Sequence, residues 1–160
     1  MKLTSKLAIL LLLASAVAVA QQSRIYRQGN GWVEEVSGSL PAARNLRVSA
    51  QLGSVQVQGG PQQQVINYVV RKRAYTSSEQ EARRQFEQYR VIASSRADGA
   101  VLEGQHQGGR ARRFSVDFSL QVPQSLEAAK VETDGGSVSV NDIAGRVDAS
   151  SGGGSLKLDR

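Results

Sequence analysis

The sequence predicts a mainly β protein with one surface helix, whose C-terminal part begins a parallel β-solenoid, a repeat of the β-helix type. Two patterns predict this fold class. Short runs of alternating apolar and polar residues recur along the chain, and near the C-terminus the sequence matches itself after a shift of eighteen residues. Alternation with period two is typical of half-buried strands, and self-similarity at a fixed period is typical of repeat architectures.

The first twenty residues have the pattern of a secretory signal peptide. Lys2 and Lys6 provide a positive start, and Leu7–Leu13 is an unbroken apolar run. The small-x-small cleavage site is defined by Ala18, Ala20 and Gln21. Because the apolar stretch 7–20 is shorter than the roughly twenty residues of a membrane span, cleavage is favoured over a retained anchor. We therefore expect export to the periplasm, the cell surface or the extracellular space, with no transmembrane span after signal removal.

Composition narrows the function classes of the mature chain. Loss of Lys2 and Lys6 with the leader lowers the net charge from +6 to about +4, which is a mild basic bias. An exported chain with this bias would meet anionic glycans or lipid headgroups rather than nucleic acid, and a merely solvated surface is the simpler interpretation. The chain has no Cys, which excludes disulfides, thiolate nucleophiles and cysteine metal sites.

Residues 21–123 are predicted to form a β-rich N-terminal part. Strands are predicted in a hairpin over 24–36, in 46–50, 53–61 and 65–75, in a second hairpin over 90–103, and in 114–122. The hairpins are placed by Gly29 to Gly31 and by Asp98-Gly99, where positive φ costs little. The last strand is the clearest, because apolar and polar residues alternate without fault until Pro123. The glycine-rich stretch 104–113 is predicted to be a loop.

One helix is predicted near residues 78–89. Ser78 and Glu81 have the spacing of a capping box, in which each residue satisfies a free backbone N–H of the first turn. Ala82, Phe86 and Tyr89 follow at near-helical spacing on one face, whereas most other positions are Glu, Gln or Arg. This pattern predicts a surface helix that covers a sheet.

Residues 124–160 are predicted to be the start of eighteen-residue β-solenoid repeats. A weaker copy of the repeat core, Gly53–Val57, lies upstream. The predicted inward and corner positions are Val131, Gly135, Gly136, Val138, Val140, Ala149, Gly153, Gly154, Leu156 and Leu158. We expect the apolar members to stack in successive coils and the glycines to allow positive-φ corners, since a flexible linker would have no reason to alternate. Fewer than two units are present, so we expect either a truncated sequence or an open edge that is capped by a partner. An open strand edge also favours self-association.

The ranges 46–59, 116–123 and 131–140, together with the basic strand end and the helix, resemble a known family. They are similar to the bacterial adhesin-like domain family, which is related to auto-transporter adhesin head domains and is of unknown function. The resemblance covers about residues 32–160. It implies an envelope-associated β-solenoid, and an adhesin-like role is itself inferred for such domains.

No catalytic, cofactor-binding or metal-binding constellation is visible in the sequence. His106 has no second His and no Cys to complete a metal site, which normally needs at least three protein ligands. The basic residues Arg71, Lys72, Arg73, Arg110, Arg112 and Arg113 could converge on an anionic polysaccharide or headgroup, although solvated charges are the ordinary state of a surface.

These observations favour a non-catalytic extracytoplasmic structural or interaction module of adhesin-like type, with no cofactor. Its expected partner is an envelope or extracellular glycan or protein. Two other functions stay open at this point. One is a polysaccharide-acting enzyme on a β-helix scaffold. The other is a scaffold that assembles edge to edge.

Overall fold

A computed structural model describes residues 20–109 and 113–159. Residues 1–19 of the predicted signal peptide lie outside the described residues. The signal peptide and its cleavage between Ala20 and Gln21 stay predictions. The strands are β1 (Gln22–Gln28), β2 (Gly31–Leu40), β3 (Asn45–Ala50), β4 (Ser54–Gly60), β5 (Ile66–Ala74), β6 (Tyr89–Arg96), β7 (Gly99–His106), β8 (Phe114–Pro123), β9 (Ala128–Thr133), β10 (Val138–Asn141), β11 (Arg146–Ser151) and β12 (Leu156–Asp159). The helix α1 (Glu79–Glu87) lies between β5 and β6.

The described strands form two mixed sheets. The seven-stranded sheet has the order β1-β2-β5-β8-β4-β10-β12, and the five-stranded sheet has the order β11-β9-β3-β7-β6. Alternate side chains of both sheets point into one shared core, in which Tyr68, Leu102 and Phe118 are almost completely buried. Two sheets that bury their inner faces against each other form a sandwich-like arrangement.

The prediction of a parallel β-solenoid is therefore wrong, although the prediction of a mainly β chain with one helix is confirmed. A solenoid would wind every strand in the same sense, whereas β1, β2, β5 and β8 are joined by antiparallel pairing, as are β6 and β7. The alternation of apolar and polar residues indicates only that one face of each strand is buried. It cannot distinguish the inner wall of a coil from the inner face of a sandwich, because both bury every second residue.

The eighteen-residue repeat corresponds to a pair of β-arches. In the seven-stranded sheet, β10 and β12 are parallel, and Val138 lies beside Leu156. In the five-stranded sheet, β9 and β11 are parallel, and Val131 lies beside Ala149. Each repeat thus contributes one strand to each sheet and a corner between them.

The upstream copy of the repeat core forms an arch of the same kind. β4 pairs in parallel with β10, which places Val55 beside Val138, and β3 pairs in parallel with β9. We call β3–β4 the first arch, β9–β10 the second arch and β11–β12 the third arch. The three arches are stacked in that order, although β5, α1, β6, β7 and β8 lie between β4 and β9 along the chain.

Helix α1 begins after the N-cap Ser78, whose hydroxyl accepts a hydrogen bond from the backbone N–H of Glu81 at 3.3 Å. Ala82 and Phe86 form a small second core with Ala74, and the helix packs on β2, β5 and β6. It ends before Tyr89, which belongs to β6 and donates a hydrogen bond from its hydroxyl to the carbonyl of Leu52 at 3.0 Å. Tyr89 is buried in the main core as the first residue of β6, so α1 is slightly shorter than the predicted range near 78–89.

Candidate functional site

The corners of the stacked arches are joined by a repeated hydrogen bond. In the second arch, the Thr133 hydroxyl donates to the carbonyl of Gly53 in the first arch at 2.8 Å. In the third arch, the Ser151 hydroxyl donates to the carbonyl of Gly136 in the second arch at 2.6 Å. Both hydroxyl residues stand three positions before the corner glycine of their own arch, so the second and third arches each attach to the preceding arch by the same bond.

The corner glycines are needed because the arches approach each other very closely. A Cβ at Gly136 would collide with the carbonyl group of Gly53, and a Cβ at Gly154 would collide with the carbonyl group of Gly136. Of the four corner glycines predicted to have positive φ, only Gly136 does, at +137°. Gly135 and Gly153 have open space around an added Cβ. The repeated geometry of the corner is thus set by close backbone contact more than by positive φ.

The third arch leaves the sandwich interior exposed at one side. Leu156 and Leu158 of β12 are 50% and 55% exposed, whereas their neighbours Val138 and Val140 in β10 are 1% and 2% exposed. β12 is the last strand of one sheet and β11 is the last strand of the other. The inward side chains of these two strands form what we call the terminal edge, consisting of Val147, Ala149, Leu156 and Leu158.

The terminal edge is apolar and has no neighbouring strand among the described residues. Its apolar side chains continue rows that begin in the first arch, such as Val55, Val138 and Leu156. An edge strand also presents unpaired backbone N–H and C=O groups. A strand that paired with this edge would therefore gain backbone hydrogen bonds and cover leucine side chains in one step.

Those of the predicted basic residues that the structure describes do not all lie on one face. Arg71 and Arg73 lie on the outer face of β5, whereas Lys72 points inward and is buried. Arg113 precedes β8, and its carbonyl accepts a hydrogen bond from the Tyr75 N–H. Arg110 and Arg112 lie outside the described residues. Binding of an anionic ligand by the outward-facing arginines stays a prediction, while Lys72 is removed from the surface by its burial.

Lys72 is held by a specific set of partners. Its Nζ lies 2.6 Å from the carboxylate of Glu34 on β2 and donates to the Phe86 carbonyl at 3.2 Å. The same carboxylate accepts a hydrogen bond from Ser23 at 2.9 Å. Reasoning from the sequence missed this ion pair, although alternation along β5 places Lys72 between the buried residues Val70 and Ala74.

The neighbouring ion pair lies on the outer face of the same two strands. Glu35 accepts hydrogen bonds from Arg71 at 2.9 Å and from Arg24 at 3.0 Å. Burial by itself raises the pKa of the Glu35 carboxyl, but hydrogen bonds and charge from Arg71 and Arg24 outweigh it, so the pKa lies below its ordinary value. The carboxylate is therefore more easily protonated in the unfolded chain than in the folded one.

We expect Glu35 to make a small contribution to stability that depends on pH. A carboxyl with a lowered folded-state pKa stabilises the fold above its unfolded-state pKa and loses this effect as the pH falls through its folded-state pKa. Both arginines are more than half exposed, so solvent screening limits the contribution to less than about 1 kcal/mol. Urea unfolding of Glu35→Gln should show a stability deficit at pH 7 that shrinks by pH 3. A deficit that is the same at both pH values would contradict this assignment.

An open cleft lies where β1, α1 and β6 meet. Its volume is about 530 Å³. The residues that line it include Ile25, Phe86 and Val91. Three of its charged groups are in ion pairs, since Glu34 pairs with Lys72 at 2.6 Å and Arg83 pairs with Glu79 at 2.6 Å. Burial raises the pKa of the nearby Tyr89 hydroxyl, which favours its neutral form as a hydrogen-bond donor.

The described residues contain no group of three His, Asp or Glu side chains that could hold a metal ion. His106 lies against the rings of Tyr89 and Phe114, with centroids 6.4 Å away in both cases. No helix in the described part of the chain is long and apolar enough to cross a membrane.

Comparisons with known proteins support the fold but do not assign a family. No protein-family model matches the chain, and no curated protein matches it. Among solved structures, the chain is similar to a putative cell adhesion protein from Clostridium sporogenes, with a TM-score of 0.51 and 9% sequence identity. The match covers 88% of this chain and 60% of the length of that protein. At this identity the likeness concerns the fold alone.

Proposed function

We propose that this chain is a non-catalytic, exported interaction module of adhesin-like type, in which the described residues bind an added β-strand at the terminal edge. The observation that carries the proposal is the exposure of Leu156 and Leu158, at 50% and 55%, at the end of rows that are otherwise buried. Export is supported by the signal-peptide pattern of residues 1–20. The adhesin-like role is supported by the description of the structural neighbour as a putative cell adhesion protein.

The energetics favour a polypeptide over a small ligand at this edge. Covering the exposed half of each leucine would contribute on the order of 1 kcal/mol. Backbone hydrogen bonds to the free side of β12 would add affinity, and the side-chain pockets between strands would add specificity. A glycan offers neither a strand backbone nor apolar side chains to match this surface.

Selection of peptides on the purified protein tests the proposal. A random peptide library displayed on phage should yield binders with alternating apolar residues. These binders should bind the double variant Leu156→Glu/Leu158→Glu at least about tenfold more weakly, because pairing would bury two carboxylates. Val65→Glu/Ile92→Glu is the matched control, since these two residues are also exposed, at 39% and 40%, but lie away from the edge.

The control variant should bind the selected peptides as well as the unmodified protein does. Circular dichroism should show that both variants keep the β-rich fold. If the selected peptides bind the Leu156→Glu/Leu158→Glu variant with unchanged affinity, or if no peptides are enriched, the proposal is wrong.

A further inference from the structure

We infer that the open cleft where β1, α1 and β6 meet is a second binding site, which takes a neutral sugar through two adjacent hydroxyl groups. The Lys72 ammonium and the Glu34 carboxylate, 2.6 Å apart, both belong to residues that line this cleft. They would bind the hydroxyl pair, while the apolar lining packs against the C–H groups of the sugar ring. The cleft and the terminal edge lie at opposite ends of the two sheets, so the inference does not rest on the proposed function.

The first support is the presence of a buried ion pair in the lining of the cleft. Apolar residues of the same size often stabilise a protein as well as a buried ion pair does, so stability alone does not account for it. The side chains of Lys72 and Glu34 are only 7% and 16% exposed, and both residues line the cleft. A few polar groups set among apolar side chains are typical of pockets that fix the orientation of a ligand.

The second support is the hydrogen-bonding capacity that both groups retain. An ammonium has three N–H donors, and Lys72 uses two of them among the described residues, to the Glu34 carboxylate at 2.6 Å and to the Phe86 carbonyl at 3.2 Å. A carboxylate accepts about four hydrogen bonds. Within the described part of the chain Glu34 accepts two, from Lys72 and from the Ser23 hydroxyl at 2.9 Å. A donor and an acceptor are therefore left side by side for a ligand.

The third support is the match between this pair and two adjacent hydroxyl groups. One hydroxyl can accept a hydrogen bond from Lys72 while its neighbour donates to Glu34, because neighbouring oxygens of a sugar are about as far apart as the two side-chain groups. A trans peptide group cannot do this, since its C=O and N–H point in opposite directions. The contacts with Ser23 and Phe86 hold both charged groups in place before a ligand arrives, which lowers the cost of binding.

The charges of the cleft favour a neutral sugar over an anionic one. Lys72 and Arg83 are each compensated by a carboxylate at 2.6 Å. The remaining charged residues of the lining, Glu87 and Arg90, have opposite signs. An anionic ligand would therefore gain little from the cations and would lie beside the carboxylate of Glu34.

The size and the apolar lining of the cleft fit a sugar ring. Its volume of about 530 Å³ is within the range of roughly 300–1,000 Å³ that is typical of small-ligand pockets. Ile25 from β1, Phe86 from α1 and Val91 from β6 supply apolar surface. The C–H groups of a sugar ring would pack against these side chains, while its hydroxyl groups reach the ion pair.

The methyl glycosides of glucose, galactose and mannose are the probes that test this inference. At least one of them, added to ¹⁵N-labelled protein, should shift the backbone amide signals of Ile25 and Val91 and leave those of Val138 and Leu156 unchanged. We expect a dissociation constant on the order of 1 mM, which is typical of such a small ligand. The inference is wrong if none of the three shifts these signals at concentrations on the order of 50 mM, where a site of the expected affinity is filled.

The double variant Glu34→Leu/Lys72→Met separates hydrogen bonding from apolar packing, because it removes the ion pair and keeps the apolar lining. It should keep the β-rich circular dichroism spectrum and bind the glycoside at least about tenfold more weakly, since hydrogen bonds to two charged groups are lost. Glu35→Leu/Arg71→Met is the matched control, which removes the neighbouring ion pair, at 2.9 Å, from the outer face of the same two strands. This control should bind as well as the unmodified protein. Equal affinities of the two double variants would contradict the inference.

A second pair of variants tests the cleft without changing the ion pair. Val91→Trp fills the cleft and should abolish binding. Ile92→Trp is its matched control and should bind normally, because Ile92 is the next residue of β6 and its 40% exposed side chain points to the other face of the strand. Binding that survives Val91→Trp would place the sugar elsewhere on the protein and overturn the inference.

Deoxy forms of the best glycoside test the pairing with adjacent hydroxyl groups. Removal of either member of one adjacent pair should weaken binding at least about fivefold, whereas removal of the other hydroxyl groups should have smaller effects. Large losses at hydroxyl groups that are not adjacent would overturn the assignment. The Leu156→Glu/Leu158→Glu variant should bind the glycoside normally, so failure of sugar binding and failure of strand addition are seen in separate experiments.

Discussion

Gly136→Ala should destabilise the protein by about 3–5 kcal/mol, the largest effect that we expect from a single substitution outside the core. Gly136 has a φ of +137°, which L-residues rarely adopt, and its Cβ would overlap the carbonyl group of Gly53. The two backbones cannot separate without breaking the parallel pairing of β4 with β10. Urea unfolding at 25 °C, followed by circular dichroism, should show a lowered midpoint with an unchanged slope.

The neighbouring glycine provides the control for this prediction. Gly135→Ala adds the same methyl group one residue earlier, where no atom lies within 4 Å of the added Cβ. Its stability should change by less than about 1 kcal/mol, because a Gly to Ala change without strain mainly reduces the entropy of the unfolded chain. Equal midpoints for the two variants would show that the arches are not packed as closely as the structure indicates.

Lys72→Met should destabilise the protein by about 3 kcal/mol, the second largest expected effect. Met fills a similar volume but leaves the Glu34 carboxylate, whose side chain is only 16% exposed, without its cationic partner. The Phe86 carbonyl at the end of α1 also loses a donor. The free energy of unfolding should fall accordingly in a urea titration at pH 7.

Two further variants separate the ion pair from other effects of the substitution. Arg71→Met removes a cation from the adjacent position of β5, but Arg71 is 51% exposed, so the loss should stay below about 1 kcal/mol. The double variant Glu34→Leu/Lys72→Met should recover much of the stability lost in Lys72→Met, because no unpaired charge is then buried. If the double variant is as unstable as Lys72→Met alone, the unpaired carboxylate is not the cause of the loss.

Gly136 and Lys72 lie towards opposite ends of the seven-stranded sheet. Gly136 stabilises the arch stack, which ends at Leu156 and Leu158, whereas Lys72 closes the opposite side near β1 and α1. A protein that binds through the terminal edge needs a rigid arch stack behind it, since mobile arches would lose more entropy on binding. Peptide binding should therefore be more sensitive to Gly136→Ala than to Arg71→Met.

Many local features could be predicted from the sequence because they depend on neighbouring residues. The alternation in 114–122 corresponds to β8, and the capping pair Ser78 and Glu81 marks the start of α1. The turn at Gly29 and the one at Gly99 both have positive φ. The offset of eighteen residues between Val138 and Leu156 also matches the register of β10 and β12. Each of these features requires only local backbone geometry or a period in the sequence.

Less of the candidate site could be predicted from the sequence. Burial of Lys72 beside Glu34 depends on the pairing of β5 with β2, two strands that the sequence does not mark as neighbours. Exposure of Leu156 depends on its place as the last strand of a sheet, whereas its alternation is the same as that of the buried Val138. Residue types and their spacing predict which face of a strand is apolar. Whether that face is buried depends on which other strands pack beside it.

From the sequence alone, the positions of the strands, the helix and its cap, and the eighteen-residue repeat could be determined, because local propensity and periodicity are properties of contiguous residues. Only the tertiary structure decided that the arches belong to a two-sheet sandwich and not to a continuous coil. The reason is that both architectures bury every second residue, and they differ in which distant strands pair and in which direction. The antiparallel pairing of β5 with β2 and β8 settles that difference.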